Sequence, residues 1–468
     1  MTGERDFLVG KRVTVLGLGI EGVDVARYAA AHGASVTVID AKSAESLTAR
    51  LRELEGLPIT YALGQHGADL VAGSDLVFAS QSIPLSSPPV AAARAHGVPI
   101  TSMTRWFFEH CPGRTIGITG SSGKTTTTSL VAAMLQAGGL EHVVGGNIGT
   151  GLLGLLDEMD TRTWAVVEVS HTQLQLLDTS PHLAAVLNVT PNHLDRFSWE
   201  EYVALKQRLV RFQTTDDYVV LNLRDELSRE MSELTPATAW YFTSEGDLPG
   251  NGAFVRDGAA FFRHDAIEEM LLPLEEIPLR GAHNVENVLA AAAIAAIAGV
   301  SGEDIARAIR AFRPVPHRLE FVAEVEGVRY VNDSIASTPE RTLAGIRSFV
   351  EPLVLLLGGK DKDLPKDELA EEALRRCTGI VFFGADGPLL EAAVEAHAQL
   401  VPFEERPQLV RVATLAEAVA EARDIAESGD VVLLSPACTS FDAYANFEER
   451  GEEFRRLVRE MASEAEGA

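Results

Sequence analysis

Short β-branched runs alternate with longer stretches of helical periodicity from one end of the chain to the other. The clearest strand-like runs are "RVTVL", "SVTVID", "DLVFA", "TIGIT", "WAVVEV", "LAAVLNV", "YVVLNL", "VRYVN", "LVLLLG", "GIVFF" and "VVLLSPA". Apolar runs that alternate with helices are typical of parallel sheets with helices on their faces. The pattern therefore predicts the α/β fold class.

Two breaks divide this pattern. Pro112 and Gly113 interrupt it once, and Pro314 and Pro316 interrupt it again after an Ala-rich helical stretch. A chain of 468 residues is too long for a single core, and ~150 residues per domain suggests roughly three domains. We expect α/β domains over residues 1–112, 113–314 and 315–468.

Charge and composition narrow the classes of partner. The formal net charge of −27 opposes binding to nucleic acid or to an anionic membrane, because both would repel the chain. Three widely spaced cysteines imply neither a disulfide framework nor a zinc site. The longest apolar run, at 288–300, is shorter than the ~20 residues of a membrane span, and the first residues have no apolar signal core. We expect a cytoplasmic monomer.

The strongest chemical motif is "TGSSGKT" at 119–125, between a strand-like run and a helical stretch. The common phosphate loop, G-x-x-x-x-G-K-[ST], would need glycine where Ile118 stands, so the spacing is unusual. Lys124 could neutralise phosphates there, and the Thr125 hydroxyl could reach Mg²⁺. A plain Gly- and Ser-rich turn is the less favoured interpretation.

A second glycine motif follows the first strand. Gly17, Gly19 and Gly22 fit G-x-G-x-x-G, and Asp40 ends the next strand at about the distance of a ribose-binding acid. Either a nucleotide-diphosphate site or a tight strand-to-helix turn would produce this pattern. Glu21 weighs against the first, since a carboxylate repels a pyrophosphate.

Candidate metal ligands follow two strands of the second domain. Glu168 ends one strand and His193 closely follows another, so both could lie at the carboxyl edge of one sheet beside the phosphate loop. Lys206 lies on the flank of an apolar helical stripe formed by Tyr202, Leu205, Leu209 and Phe212. By spacing alone, Lys206 is read as a surface lysine.

Taken together, the motifs resemble the Mur ligase family, and most of all its branch that adds D-glutamate. The similar segments are "TGSSGKT", "GGNIG", "LNVTPNHLDRF", "GAHNVENVLAA", "PHRLEF", "VNDS", "LLLGGKDKD" and "LLSPACTSFDAYANFEERGEEF". The chain departs from the family pattern at Ser121 and Ser122, at "VEVSHTQL", and at Ile335, where many relatives have lysine. The resemblance implies a UDP-binding Rossmann-like first domain, a central ATP-binding domain and a Rossmann-like amino-acid-binding third domain.

The resemblance also implies residue roles. ATP would contact Gly120, Ser121, Ser122, Gly123, Lys124, Thr125, Thr126, Asn284, Asn287, Arg318 and Asp333. The UDP substrate would contact Gly17, Gly19, Asp40 and Asn147. Two Mg²⁺ would be held by Thr125, Glu168, His193 and a carbamylated Lys206. Catalysis would rest on Lys124, Glu168, His193 and Lys206. Glutamate would contact Ser337, Lys362, Ser440, Phe441 and Phe447.

The activity so implied is ATP-dependent amide formation between D-glutamate and UDP-N-acetylmuramoyl-L-alanine, through an acyl phosphate, in peptidoglycan precursor synthesis. Four alternatives stay open at this point. They are ligation of L-glutamate, a folate polyglutamate ligase, a nicotinamide-dependent oxidoreductase suggested by the first glycine motif, and a nucleotide-binding regulator without catalysis.

Overall fold

The computed structural model of the chain describes most of its residues. The described ranges are 7–65, 67–147, 151–191, 197–279, 281–313, 316–349, 351–362, 364–399, 402 and 406–467.

The first sheet is parallel and has five strands in the order β3-β2-β1-β4-β5. Its strands are β1 (Arg12–Leu16), β2 (Ser35–Asp40), β3 (Ile59–Leu63), β4 (Leu76–Ala79) and β5 (Ile100–Thr101). Its helices are α1 (Ile20–Ala31), α2 (Thr48–Arg52), α3 (Ala68–Val71), α4 (Pro88–Ala95) and α5 (Met103–His110). The strand order reverses between β1 and β4, and ligands of open α/β sheets bind in the crevice at such a reversal. The first glycine motif follows β1 and so lies at this crevice.

The second sheet has nine strands in the order β14-β13-β12-β11-β10-β9-β6-β8-β7. The strands are β6 (Arg114–Thr119), β7 (His142–Gly146), β8 (Trp164–Glu168), β9 (Leu183–Val186), β10 (Tyr218–Asn222), β11 (Thr238–Thr243), β12 (Gly252–Arg256), β13 (Ala259–His264) and β14 (Ile267–Pro273). The helices are α6 (Lys124–Ala137), α7 (Trp199–Gln207), α8 (Glu226–Glu230), α9 (Ala282–Ile297) and α10 (Gly302–Ala311). Single 3-10 turns cover Leu153–Glu158, Gln173–Leu176, Met231–Leu234 and Leu274–Glu276.

The last strands of this sheet depart from the predicted parallel pattern. Strand β13 pairs antiparallel with both β12 and β14. The turn between β12 and β13 consists of Asp257 and Gly258, whose φ angles are 50° and 75°. A two-residue hairpin turn of this type requires positive φ at both central residues, so this dipeptide reverses the chain directly, without the helical crossover that parallel strands need.

The third sheet has six strands in the order β15-β16-β20-β17-β18-β19. The strands are β15 (Glu320–Val325), β16 (Val328–Asn332), β17 (Leu353–Gly358), β18 (Cys377–Phe383), β19 (Gln408–Arg411) and β20 (Val431–Ala437). The helices are α11 (Pro339–Ile346), α12 (Asp367–Arg376), α13 (Gly387–Ala398), α14 (Leu415–Ile425) and α15 (Phe447–Gly467). The pair β15–β16 is an antiparallel hairpin, and every residue of β17 and β20 is buried. Central strands covered on both faces have no solvent side, which explains their continuous apolar runs.

The predicted α/β fold class with three sheet-containing regions is confirmed. By its internal contacts the chain forms two compact units, residues 1–276 with 286–312, and residues 277–285 with 313–468. The first two sheets belong to the first unit and the third sheet to the second. The boundaries near residues 112 and 314 stay predictions. Within the described ranges, no helix combines the length and the apolar character that crossing a membrane requires.

Candidate active site

The phosphate loop joins the end of the interior strand β6 to the first turn of α6. Gly123 precedes the helix with φ of 81°, a conformation that favours glycine. A Cβ atom there would lie 2.2 Å from Oδ1 of Asn287, so the position has no room for a side chain either. The loop therefore places backbone N–H groups and a helix N-terminus at the carboxyl edge of the sheet, an arrangement that binds anions.

Three polar residues outside the motif hold the loop in shape. The hydroxyl of Ser121 donates to the carbonyl of Thr190 (2.9 Å) and accepts from its N–H (2.9 Å). Because the serine proton is thereby used, the Tyr202 hydroxyl, 3.0 Å away, donates to the same oxygen. Oδ1 of Asn188 accepts from the N–H of Ser122 at 2.9 Å. Both serines of the unusual "SS" thus have defined partners, which lie after β9 and on helix α7.

Two lysines converge on the loop. The Nζ atom of Lys124 donates to the carbonyl of Gly120 at 2.9 Å, and Nζ of Lys206 donates to the same oxygen at 3.0 Å. Lys206 also donates to the Thr119 hydroxyl at 2.9 Å, and that hydroxyl donates in turn to the carbonyl of Val169. The two amines therefore approach a single acceptor from different elements.

The interpretation of Lys206 as a surface lysine is wrong, since its side chain is only 1% exposed. Burial, and then the nearby Lys124 ammonium, lower the pKa of Lys206 well below its ordinary value, while Glu168 acts in the opposite direction. Tyr202 precedes Lys206 by one helical turn, so the two side chains lie on the same face of α7. Because the Tyr202 hydroxyl bonds to Ser121 of the loop, that face, and Lys206 with it, is directed toward the loop. Helix α7 ends at Gln207, and the half-exposed Phe212 does not continue the predicted stripe.

Glu168, at the end of β8, is buried and faces Asn147 of the "GGNIG" segment. Its Oε1 accepts from the Asn147 side-chain amide at 2.8 Å. Its Oε2 is buried, and no group among the described residues forms a hydrogen bond to it. A buried carboxylate oxygen without a donor carries a large desolvation cost unless a cation or another donor meets it. This oxygen therefore fits a divalent cation ligand.

The remaining predicted metal ligands are Thr125 and His193. Thr125 lies in the first turn of α6, one residue after Lys124. His193 lies outside the described residues. Within the part of the chain that the structure describes, no cluster of three His, Cys, Asp or Glu side chains has metal-binding geometry.

The first glycine motif forms the expected turn. A Cβ at Gly22 would lie 1.9 Å from the carbonyl oxygen of Gly17, so close packing of α1 against the turn requires glycine there. Gly19 is the residue before α1. Asp40 accepts from the N–H of Leu18, inside the turn, at 2.7 Å. The structure therefore brings Asp40 to the glycine turn, as the spacing predicted.

Asn284 and Asn287 lie in the first turns of α9 and are both buried. Oδ1 of Asn287 lies 3.4 Å from the Thr127 hydroxyl on α6, which ties the start of α9 to the phosphate-loop helix. Thr126, beside it on α6, is buried as well.

In the second unit, Asp333 follows β16 and is fully buried. Burial raises the pKa of Asp333 to about 7, although the hydroxyl of Ser435, the charge of Arg318 and the N–H of Leu319 act in the opposite direction. The Ser435 hydroxyl donates to its Oδ2 at 2.9 Å. Burial, and then the charge of Arg318, lower the pKa of the neighbouring His283 to about 4. Arg318 and Asp333 thus lie close enough to interact electrostatically.

The predicted glutamate-binding residues differ strongly in exposure. Ser440 is 3% exposed, and its carbonyl accepts from the N–H of Tyr444 at 2.8 Å. Phe441 is 69% exposed. Nζ of Lys362 lies 3.4 Å from the Ser337 hydroxyl, so these two side chains are in contact. Phe447 is half-buried at the start of α15, and its carbonyl accepts from the Ser334 hydroxyl at 2.8 Å.

The sequence motifs did not single out Arg450, which organises this region. Its guanidinium is fully buried and donates to the carbonyls of Ser334 (2.9 Å), Gly358 (3.3 Å), Cys438 (3.1 Å) and Thr439 (3.2 Å). Burial lowers the pKa of Arg450 to about 10. An arginine between apolar positions of a charged helix is the signal that could have revealed it.

Comparisons with known proteins agree with this arrangement. Three family models match the chain: "Mur ligase MurD-like, N-terminal domain" at residues 11–102, "Mur ligase middle domain" at 118–295 and "Mur ligase, glutamate ligase domain" at 317–438. The chain is 39% identical to the UDP-N-acetylmuramoylalanine–D-glutamate ligase of Koribacter versatilis over 97% of this chain and 98% of that protein. It is 41% identical to the enzyme of the same name from Acidobacterium capsulatum, over 96% of each chain.

Solved structures show the same fold. The UDP-N-acetylmuramate-alanine ligase of Thermotoga maritima matches with a TM-score of 0.60 and 20% identity, over 96% of this chain and 99% of that one. A pseudomurein peptide ligase of Methanothermus fervidus matches with a TM-score of 0.58 and 16% identity, over 97% of this chain and 100% of that one.

The three-sheet fold, the phosphate loop and the matched models define an ATP-dependent ligase. More narrowly, the chain belongs to the Mur ligase family, as its motifs suggested. These matches show a family of ligases and not a nicotinamide-dependent oxidoreductase.

Proposed function

We propose that this protein joins D-glutamate to UDP-N-acetylmuramoyl-L-alanine at the expense of ATP, in the synthesis of peptidoglycan precursors. The observation that carries the proposal is the full-length identity of 36–41% to proteins named for this reaction, over at least 96% of this chain. A cytoplasmic location and a monomeric state belong to the same proposal.

A free carboxylate does not form an amide in water, because its leaving oxygen is too basic. In the proposed reaction the alanyl carboxylate attacks the γ-phosphorus of ATP, ADP leaves, and an acyl phosphate forms. The glutamate amine then attacks the acyl carbon and displaces phosphate. The first step brings two anions together, so fixed positive charge at the phosphate loop stabilises its transition state.

Lys124 is the residue proposed to supply that charge. Its ammonium is held against the carbonyls of Gly120 (2.9 Å) and Ser121 (3.3 Å), within the loop that would hold the phosphates. Gly120, Ser121, Ser122, Gly123, Thr125 and Thr126 complete the proposed phosphate site. Asn284, Asn287, Arg318 and Asp333 are the proposed contacts to the rest of ATP.

Mg²⁺ is the proposed metal, with Glu168, Thr125, His193 and a carbamylated Lys206 as candidate ligands. When bound, it would neutralise phosphate charge and polarise the phosphoryl group. The environment of Lys206 supports carbamylation, since only a neutral amine adds to CO₂ and the pKa of Lys206 is lowered by burial. The neutral amine and CO₂ would give a carbamate anion and one released proton, which replaces an amine nitrogen by an anionic oxygen ligand.

The UDP substrate is assigned to the first domain and to the end of β7, where Asn147 faces Glu168. Gly17, Gly19 and Asp40 form the proposed UDP site, and Asn147 is the proposed contact at the sugar-peptide end. The hydrogen bond from Asn147 to Glu168 supports this assignment, because it links the substrate residue to a candidate metal ligand.

Glutamate is assigned to the third domain. Lys362 would meet one of its carboxylates, Ser337 and Ser440 its other polar groups, and Phe441 and Phe447 would shape the pocket. Ile335 lacks the ammonium that many relatives place at that position, so one charge-assisted contact is absent. Both enantiomers offer the same groups, and for this reason L-glutamate is the second candidate acceptor.

A substrate-dependence matrix tests the proposal. Phosphate release from ATP is measured with UDP-N-acetylmuramoyl-L-alanine and glutamate, each omitted in turn, and the product is identified by mass. We expect release only with both substrates present. Competition between D- and L-glutamate, followed by hydrolysis and chiral analysis, should show D-glutamate in the product. Predominant incorporation of L-glutamate would refute the D-specific assignment, and folate-dependent release would refute the substrate class.

A further inference from the structure

Glu21 is a buried carboxylate inside the first glycine turn. It is 8% exposed, and both of its oxygens have donors. Oε2 accepts from the N–H of Gln81, just after β4, at 3.0 Å. Oε1 accepts from the side-chain amide of Gln173, which follows β8 in the central domain, at 2.8 Å. Both oxygens of this carboxylate are therefore bonded to protein donors.

The neighbours of Gln173 fix the direction of its amide. Its Oε1 accepts from the N–H of Ser170 at 2.9 Å, so its Nε2 must face Glu21, and Glu21 must be an acceptor. A second connection runs beside the first: Oε1 of Gln81 accepts from the hydroxyls of Ser170 (3.0 Å) and Thr172 (2.7 Å). We name Glu21, Gln81, Ser170, Thr172 and Gln173 the bridging network.

A further carboxylate of α1 holds the same helix to the central domain. Asp24 accepts from the N–H of Leu153 at 2.8 Å and from that of Gly154 at 3.4 Å, at the start of a 3-10 turn. Burial raises the pKa values of Asp24 and Glu21, and their N–H donors act in the opposite direction. Helix α1 is thus attached to the central domain through two hydrogen-bonded carboxylates one turn apart.

The bridging network lies between two parts of the proposed substrate site. One end of the network is the turn of Gly17 and Gly19. The other end begins two residues after Glu168 on β8. Under the proposed function, one substrate must reach from the first of these places to the second, with its carboxylate beside the γ-phosphate. An error of about 1 Å in such positioning can cost on the order of 10²-fold in rate.

We propose that Glu21 and Gln173 are positioning residues that set the spacing between the UDP-binding turn and the Glu168 end of β8. This inference rests on the proposed function. The pair does not touch the reacting atoms in this proposal; it aligns the two parts of the site that the UDP substrate connects.

The test uses the full-length protein and a reciprocal exchange. In Glu21→Gln the introduced amide has a single acceptor oxygen, so it can accept from the Gln173 amide or from the N–H of Gln81 but not from both, and one of the two bonds is lost. In Gln173→Glu two carboxylates face each other. In the double variant Glu21→Gln/Gln173→Glu, the amide introduced at position 21 donates to the carboxylate introduced at position 173, and that carboxylate still accepts from the N–H of Ser170. We expect each single change to lower kcat/KM for UDP-N-acetylmuramoyl-L-alanine on the order of 10-fold, as for a buried charged hydrogen bond. The double variant should recover most of this loss.

The KM for ATP should stay unchanged in all three variants, because the network does not touch the phosphate loop. Glu53→Gln, an exposed carboxylate of the first domain paired with Arg50, is the matched control and should behave as wild type. Lower melting temperatures in the single variants with wild-type kcat/KM would mean a purely structural role and overturn the inference. Failure of the double variant to recover would overturn the pairing.

If a single variant does not fold, Thr172→Val carries the test. It removes one of the two bonds to Gln81 and should raise KM for the UDP substrate several-fold, and an unchanged KM contradicts the inference. Failure of the proposed function gives a different result, since the wild-type protein itself would then release no phosphate with the UDP substrate and glutamate.

Discussion

The phosphate-loop region and the proposed glutamate region are built in different ways. Around the loop, Lys124 and Lys206 donate short hydrogen bonds to Gly120 and Thr119, and Glu168 accepts one from Asn147. The side chains of Lys206 and Glu168 are almost completely buried. In the glutamate region, Phe441 is 69% exposed and Lys362 is exposed as well. There the buried charged group is Arg450, which donates to backbone carbonyls and belongs to none of the predicted contacts.

This difference shows in which of the two regions the charged side chains are already held in fixed positions. Charge stabilisation at a transferring phosphoryl group is effective only when the charges are fixed in advance, and the loop meets that condition in the described geometry. The proposed glutamate contacts range from the buried Ser440 to the exposed Lys362 and Phe441, on a scaffold that Arg450 fixes. We therefore expect changes at the loop to abolish turnover, and changes in the glutamate region to alter KM or stability.

The largest expected effect is that of Lys124→Ala. It removes the ammonium from the phosphate loop and should lower kcat by roughly 10³-fold or more, since transition-state charge is lost, while binding of the UDP substrate is retained. Phosphate release and calorimetric titration of the UDP substrate measure the two quantities. The exposed Lys11→Ala is the control, and wild-type turnover in Lys124→Ala would contradict the assignment.

Lys206→Ala should be inactive for a different reason. It removes the proposed carbamate, and added acetate should restore part of the activity by providing an oxygen ligand. Acetate should not stimulate wild type or Lys11→Ala. A ¹³C carbamate signal from wild-type protein in ¹³CO₂ that disappears in Lys206→Ala is the direct measurement. Full activity of the variant without acetate would remove Lys206 from the catalytic group.

Arg450→Leu should show the effect expected of the glutamate region. It removes the guanidinium that donates to four carbonyls, of which that of Thr439 keeps the N–H of Lys360. We therefore expect a loss of about 3 kcal/mol in the free energy of unfolding and a higher KM for glutamate, with KM for ATP unchanged. Arg456→Leu changes an exposed arginine on the same helix, whose partners are Glu453 and Glu460, and should cost less than ~0.5 kcal/mol. Equal denaturation midpoints for the two variants would contradict this account.

The smallest expected effect concerns pH. The pKa of Asp333 is raised to about 7 from an ordinary value of 3.8, so between these values the folded protein holds a proton that the unfolded chain releases. Asp333 therefore makes stability fall as pH rises from about 4 to about 7. In Asp333→Asn this contribution disappears, and the variant should gain roughly 1 to 2 kcal/mol on wild type between about pH 5 and about pH 7. Urea unfolding at several pH values measures the difference, and parallel curves would contradict the shift.

Local pattern predicted much of the fold. The apolar runs placed the main parallel strands, because strands buried on both faces are apolar along their whole length. The hairpins β12–β13 and β15–β16 were not predicted, since each depends on a two-residue turn with positive φ, such as Glu326 and Gly327. The Asp-Gly dipeptide at 257–258 is itself a hairpin signal, but the alternation of strands and helices on which the prediction rests does not use it.

The sequence by itself determined the α/β class, the phosphate loop and the glycine turn, because each is a local pattern of residue types with a fixed spacing. Only the tertiary structure decided that Lys206 is buried against Gly120, that one oxygen of Glu168 has no donor among the described residues, and that Glu21 bonds Gln173 152 residues away. Burial and charge environment arise from elements that are distant along the chain. A lysine on an amphipathic helix has the same local pattern whether it meets water or the carbonyl of a phosphate loop.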